Sequence, residues 1–139
     1  MAPKPMWLYR QSGVIPWRRD KDGIEILLIT SIRRGRWIVP KGVVERHLSP
    51  GESARKEAWE EAGVTGTLSR EVVGTYEYEK WGGTCTVSMY LLKVESEEED
   101  WPERKERKRK WVSLEKAIKL VEDENLGDVI RAAGEQLEK

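Results

Sequence analysis

The run Ser49-Pro50-Gly51-Glu52, closed by Gly63, constrains this chain more than any other stretch, because it specifies one short helix from start to stop. Ser49 is placed as an N-cap, Pro50 takes the first helical position where no amide hydrogen is needed, and Glu52 can reach back to the Ser49 amide. Gly63 supplies the stop, since glycine accepts the left-handed conformation that ends a helix. At about 100° per residue, Ala54, Ala58 and Ala62 form a small-residue stripe that can sit close on a sheet. Glu57, Glu60 and Glu61 share a narrow face beside it. Each like-charged pair at this spacing costs about 0.2–0.5 kcal/mol unless a cation sits among them. An acidic helix face is often only solvated. The three carboxylates therefore leave two readings open, a wet surface or a site for a hard, oxygen-preferring cation such as Mg²⁺.

At 139 residues the chain is expected to be a single domain, 1–139, long enough to bury a substantial core. Lys+Arg and Asp+Glu balance at 25 each, so no global field favours nucleic acid or an anionic membrane, and charge must act locally. Cys85 is the only cysteine, which excludes an internal disulfide. With no signal-like leader or long apolar run, a cytoplasmic location and no membrane partner are expected.

Residues 1–6 read as a loose lead. Strands are expected at Ser12–Arg19, Ile24–Ser31 and Trp37–Val39, with a turn at Asp20–Gly23 and a short basic loop at Ile32–Arg36. Beyond the helix, Leu68–Lys80 and Thr84–Glu95 are strand-like runs joined by Trp81-Gly82-Gly83, whose paired glycines suit the positive φ angles of a tight hairpin. A further strand is expected over Arg104–Val112. Ser113 caps a helix, and a last helix runs from about Leu126 to Leu137. Hairpins rather than repeated βαβ units argue for an α/β protein with a mixed sheet covered on both faces.

Extended back to Gly42, the capped segment resembles the Nudix box, Gly-x5-Glu-x7-Arg-Glu-U-x-Glu-Glu-x-Gly-U with U aliphatic. Gly42, Glu57, Ala58, Glu60, Glu61, Gly63 and Val64 fall on it without a gap. Two positions depart, Leu48 standing for the first Glu and Lys56 for the Arg, a pair that braces the loop against the helix in that family. The resemblance implies a Nudix-type α/β/α sandwich with a mixed β-sheet. It also implies a hydrolase of diphosphate bonds that uses Mg²⁺, with Mn²⁺ as a possible substitute. Glu57, Glu60 and Glu61 would be its metal-binding and catalytic residues, with a backbone carbonyl from Gly42. Which glutamate takes the proton of the attacking water stays open.

Arg33, Arg34, Arg36 and Lys41 crowd the approach to Gly42, and Arg107 and Arg109 lie in Arg-Lys-Arg-Lys-Trp further on. The bland readings are a solubilising loop and a charged, guarded sheet edge. The Arg-Lys-Arg-x-Trp order, Arg-Trp-Ile-Val-Pro before the box and Gly-Val-x-Gly-Thr-Leu at its end are similar to the diphosphoinositol and diadenosine polyphosphate phosphohydrolase branch of that family. These six basic residues are accordingly the expected substrate contacts, and a small-molecule polyphosphate the expected partner. A non-catalytic ligand sensor is the alternative that Leu48 and Lys56 keep alive. An RNA 5′-end hydrolase is a third, disfavoured because no basic groove with interleaved aromatics is evident. His47 reads as a solvated loop residue and Cys85 as a small core residue.

Overall fold

The computed structural model describes residues 9–138, so the expected loose lead at 1–6 lies outside them. Its strands are β1 (Arg10–Asp20), β2 (Gly23–Thr30), β3 (Trp37–Ile38), β4 (Lys41–Val43), β5 (Val64–Lys80), β6 (Gly83–Glu97) and β7 (Arg109–Ser113). The helices are α1 (Pro50–Glu57), continued by a π turn over Ala58–Ala62, then α2 (Leu114–Leu120) and α3 (Glu124–Leu137). All seven strands join one mixed sheet in which β1 runs parallel to β6 and the other pairings are antiparallel.

Strand alternation divides the apolar residues between the two faces of this sheet. Ile15, Ile26, Leu28, Val87, Met89 and Leu91 pack under α2 and α3, against Ala117, Val121, Leu126, Val129, Ile130 and Ala133. Val14, Leu27, Ile29 and Leu92 face the other way, onto the fully buried Ala54, Ala58 and Ala62. The alanine stripe thus seats the acidic helix directly on the sheet, and the result is the expected α/β/α sandwich. Among the described residues no helix is long and apolar enough to cross a membrane.

The sheet forks where the site will be. Trp17–Asp20 of β1 pairs with β2, whereas Gln11–Gly13 pairs with β4, and β3 pairs with the far end of β2. The segment from Trp37 to Val43 is held between the diverging strands, with the Val14 amide donating to the Pro40 carbonyl at 3.0 Å. That wedge carries Lys41 and Gly42.

Two expectations are corrected. The strand expected over Arg104–Val112 begins only at Arg109, because the residues after Pro102 form successive turns, closed by Arg104 N–H to Trp101 O and Glu106 N–H to Glu103 O. Arg107 therefore stands ahead of β7 rather than on it. In the β5–β6 hairpin the positive φ angles fall on Trp81 (57°) and Gly82 (76°), while Gly83 already belongs to β6.

Candidate active site

The helix forms as its sequence specifies. Ser49 Oγ accepts from the Glu52 amide at 3.1 Å and the Glu52 carboxylate accepts from the Ser49 amide at 2.9 Å, completing the capping box. At the far end Gly63 turns left-handed (φ 70°), and its amide donates to both Ala58 O and Trp59 O. The first of these is the five-residue closure of a π turn, a widening found often at functional sites.

That widening changes how the three glutamates are deployed. Glu57 and Glu61 are drawn together, Glu57 half-buried and Glu61 only 7% exposed. Glu60 instead meets the Lys56 ammonium at 3.3 Å. The single narrow acidic face expected from α-helical spacing is thereby split, and among the described residues no three acidic, His or Cys side chains converge on one point. Burial, helped by the neighbouring Glu57, pushes the Glu61 carboxyl up to about 9 against the partial relief given by Arg107. Glu57 is raised as well, first by burial and then by Glu60 and Glu103. Burial thus works against the charged form of both carboxylates.

The loop and the wedge close over these carboxylates. A methyl group added at Gly42 would lie 2.4 Å from the Glu57 carboxyl carbon, so a side chain there would push the Glu57 carboxylate out of its place. The Lys41 amide donates to Glu61 Oε1 at 3.2 Å. The site thus offers one buried and one half-buried carboxylate with a third at its margin, beside a strand that no side chain separates from Glu57. This hard-oxygen donor set fits a divalent cation of the Mg²⁺ kind.

The Lys41 side chain donates to Gln11 Oε1 at 3.2 Å and to the Tyr78 hydroxyl at 3.0 Å, while that hydroxyl donates to Gln11 at 2.8 Å. Burial lowers the Lys41 pKa and lifts Tyr78 to about 12. Gln11 and Tyr78 were not singled out by the sequence, since neither belongs to a motif and both reach the site only through strand pairing.

Of the other basic residues, Arg33 and Arg34 are exposed and unpaired among the described residues. Arg36 pairs with Glu122 at 2.9 Å. Arg107, 9% exposed at its side chain, lies 3.7 Å from Glu61, donates to Glu103 at 2.8 Å, and reaches the Thr30 carbonyl at 3.0 Å. Arg109 donates to Ala62 O at 2.8 Å and Glu98 O at 2.5 Å, pairs with Glu97 and stacks on Trp101, so its fork is taken up in pinning the end of the π turn. The structure therefore gathers Glu57, Glu61, Lys41, Gly42 and Arg107, with Glu60 at the margin.

The two departures from the box resolve into one substitution. Lys56 pairs with Glu45, which thereby takes over the bracing role, and the short contact holds the Glu45 carboxyl below its ordinary range. Leu48 lines a groove with Val44 and Pro50. His47 sits 77% exposed beside Glu45, and Cys85 is buried, as expected.

A mixed sheet between helices, with a capped acidic helix facing a glycine loop, defines a Nudix-type fold. A model of the NUDIX domain matches residues 9–132, and the chain belongs to the Nudix family. Nudix hydrolase 21, chloroplastic, of Arabidopsis thaliana is 40% identical over 131 residues, covering 89% of this chain and 66% of that one. Nudix hydrolase 12, mitochondrial, of the same plant is 35% identical and is covered over 64% of its length, so the chain spans about two thirds of these curated relatives. Human diphosphoinositol polyphosphate phosphohydrolase 3-alpha is 36% identical, covering 85% of this chain and 72% of that protein. In three dimensions, an Ap4A hydrolase of C. elegans in a binary complex superposes with a TM-score of 0.82 at 27% identity, over 93% of this chain and 97% of that one.

Proposed function

We propose that this protein is a Mg²⁺-dependent phosphoanhydride hydrolase, with Mn²⁺ able to replace Mg²⁺, acting on a polyphosphorylated small molecule. The observation that carries the reading is the pairing of a half-buried Glu57 with the buried Glu61 beside the Gly42 strand, where burial works against the charge of both. Glu57, Glu60, Glu61 and the Gly42 carbonyl would hold the metal. When bound, a divalent ion supplies charge neutralisation at phosphate oxygens and lowers the pKa of water. The residues do the rest. Water adds to phosphorus, the phosphorus–oxygen bond of the anhydride breaks, and a helix carboxylate takes the water's proton. Arg33, Arg34, Arg36 and Lys41 supply phosphate contacts around the mouth, and Arg107 supplies positive charge behind Glu61.

A diadenosine polyphosphate or a diphosphoinositol polyphosphate is favoured over a nucleoside diphosphate sugar, because one diphosphate does not need so many cations. Similarity to the human diphosphoinositol polyphosphate phosphohydrolase and to the C. elegans Ap4A hydrolase supports the same choice. The Glu45–Lys56 pair argues against a non-catalytic sensor, since the brace that Leu48 had put in question is kept. A cytoplasmic setting belongs to the same proposal and is tested by fractionation. The test of function is a phosphate-release screen over diadenosine polyphosphates, diphosphoinositols, nucleoside diphosphate sugars and capped RNA, with and without Mg²⁺. Metal-dependent release from the first two classes is expected; release from none, or only from the sugars, overturns the reading.

A further inference from the structure

Beyond Trp59 the acidic helix runs out of internal donors. The Gly63 amide is shared by Ala58 O and Trp59 O, so the carbonyls of Glu60, Glu61, Ala62 and Gly63 lie past the last turn. A helix end leaves about four such carbonyls for other parts of the chain to satisfy. Here one segment, 98–109, running from the end of β6 to the start of β7, reaches them all. The Glu103 amide donates to Glu60 O at 3.0 Å and the Glu98 amide to Gly63 O at 2.9 Å. Between them the Trp101 indole N–H donates to Glu61 O at 3.1 Å and Arg109 Nη1 to Ala62 O at 2.8 Å.

Trp101 is the centre of this strap. Its ring lies 3.9 Å from the Arg109 guanidinium and packs on Gly63, where an added methyl would stand 2.9 Å from Trp101 Cβ and Cγ. Glu61 is held from the strap at both ends, its carbonyl by Trp101 and its carboxylate by the Arg107 guanidinium at 3.7 Å. A π turn is rare, and nothing in Ala-Trp-Glu-Glu-Ala itself calls for one, since it contains neither glycine nor proline and its residues sit well in an ordinary helix. The bonds that hold it come from outside. Partners standing behind a metal's ligands are commonly worth tenfold or more in affinity, because they fix where the ligating atoms stand.

We propose that Trp101 is a positioning residue for the metal site: by donating to the Glu61 carbonyl and stacking on Arg109 it holds the π turn, and with it the Glu61 carboxylate, without touching metal or substrate. The assignment rests on the metal-dependent hydrolase reading above.

Trp101→Phe keeps a ring beside Arg109 and removes only the donor. Trp101→His restores a donor, since imidazole Nε2 can take the place of the indole nitrogen in a five-membered ring of the same shape. Trp111→Phe is the control, because it removes an indole N–H that is bonded to Glu97 at 3.0 Å and not to the helix. Mn²⁺ affinity is measured by calorimetry on each protein below its melting temperature. Trp101→Phe is expected to raise the Mn²⁺ Kd about tenfold and to raise the Mg²⁺ concentration for half-maximal turnover in step, while KM for a diadenosine polyphosphate at saturating Mg²⁺ stays at the native value. Trp101→His is expected to recover most of the loss, and Trp111→Phe to show none. Unchanged Mn²⁺ affinity in Trp101→Phe, an equal loss in Trp111→Phe, or no recovery in Trp101→His overturns the assignment, and so does a native protein that binds no Mn²⁺. Should the native protein bind Mn²⁺ yet hydrolyse nothing, the hydrolase reading fails, while a loss of Mn²⁺ affinity confined to Trp101→Phe still supports the positioning role.

Discussion

Glu61 is the residue at which burial and charge conflict most. In the folded chain its carboxyl keeps a proton up to about pH 9, against 4.5 for a free glutamate, and Glu57 is displaced in the same direction. The native state therefore binds more protons than the unfolded chain between those limits, and stability without metal falls as pH rises through them. Thermal melts in chelator from pH 5 to pH 9 should show a declining melting temperature, and Glu61→Gln, which has no proton to lose, should flatten the decline. A slope identical in native and variant would show that Glu61 is not the group responsible. Single Glu57→Gln, Glu60→Gln and Glu61→Gln changes should each cost at least about 100-fold in turnover while the fold survives. Near-native rates in all three would remove the metal-site assignment. Glu60 is the most informative of them, since it lies at the margin of the site, paired with Lys56, and is not itself buried.

The helix and its loop act as one element through contacts that spacing alone does not reveal. Lys56 reaches both Glu45 on the loop and Glu60 on the helix, so the brace expected between box positions is made by a residue three places earlier than Leu48. Restoring the family pair with Leu48→Glu and Lys56→Arg should leave turnover within about tenfold, because one ion pair replaces another. Lys56→Ala should loosen the loop rather than stop the chemistry; lost turnover with an unchanged melt would place Lys56 among the reacting groups. Gly42→Ala is a sharper test of loop against helix. Its methyl would stand 2.4 Å from the Glu57 carboxyl carbon, so metal-dependent turnover should fall steeply, and unaffected turnover would show that the close approach is dispensable.

Across the whole molecule, the site is held where three separate parts of the chain meet: the wedge between β1 and β2, the end of the acidic helix, and the turns before β7. A ligand that binds only this assembled state stabilises it. Added Mg²⁺ should raise the melting temperature of the native protein, more at pH 8 than at pH 6 because the cation displaces protons, and less in Glu61→Gln; a pH-independent response would point to binding elsewhere. What the sequence determined by itself was local and periodic. The capping box, the left-handed Gly63, the alanine stripe and the strand character of β1, β2, β5 and β6 each follow from a residue and its near neighbours, and the pattern they make calls for a mixed sheet covered on both faces without fixing its topology. Tertiary structure alone decided which distant groups share the site. It carried Lys41 to Gln11 and Tyr78 by strand pairing, joined Glu57 to Glu61 while Glu60 pairs with Lys56, tied Arg107 to Glu61 and Glu103, and took up Arg109 in holding the helix end. The reason is physical: a cap or a stripe depends on interactions within a turn or two, whereas the partner of a long charged side chain depends on where the folded sheet places its carboxylates and carbonyls.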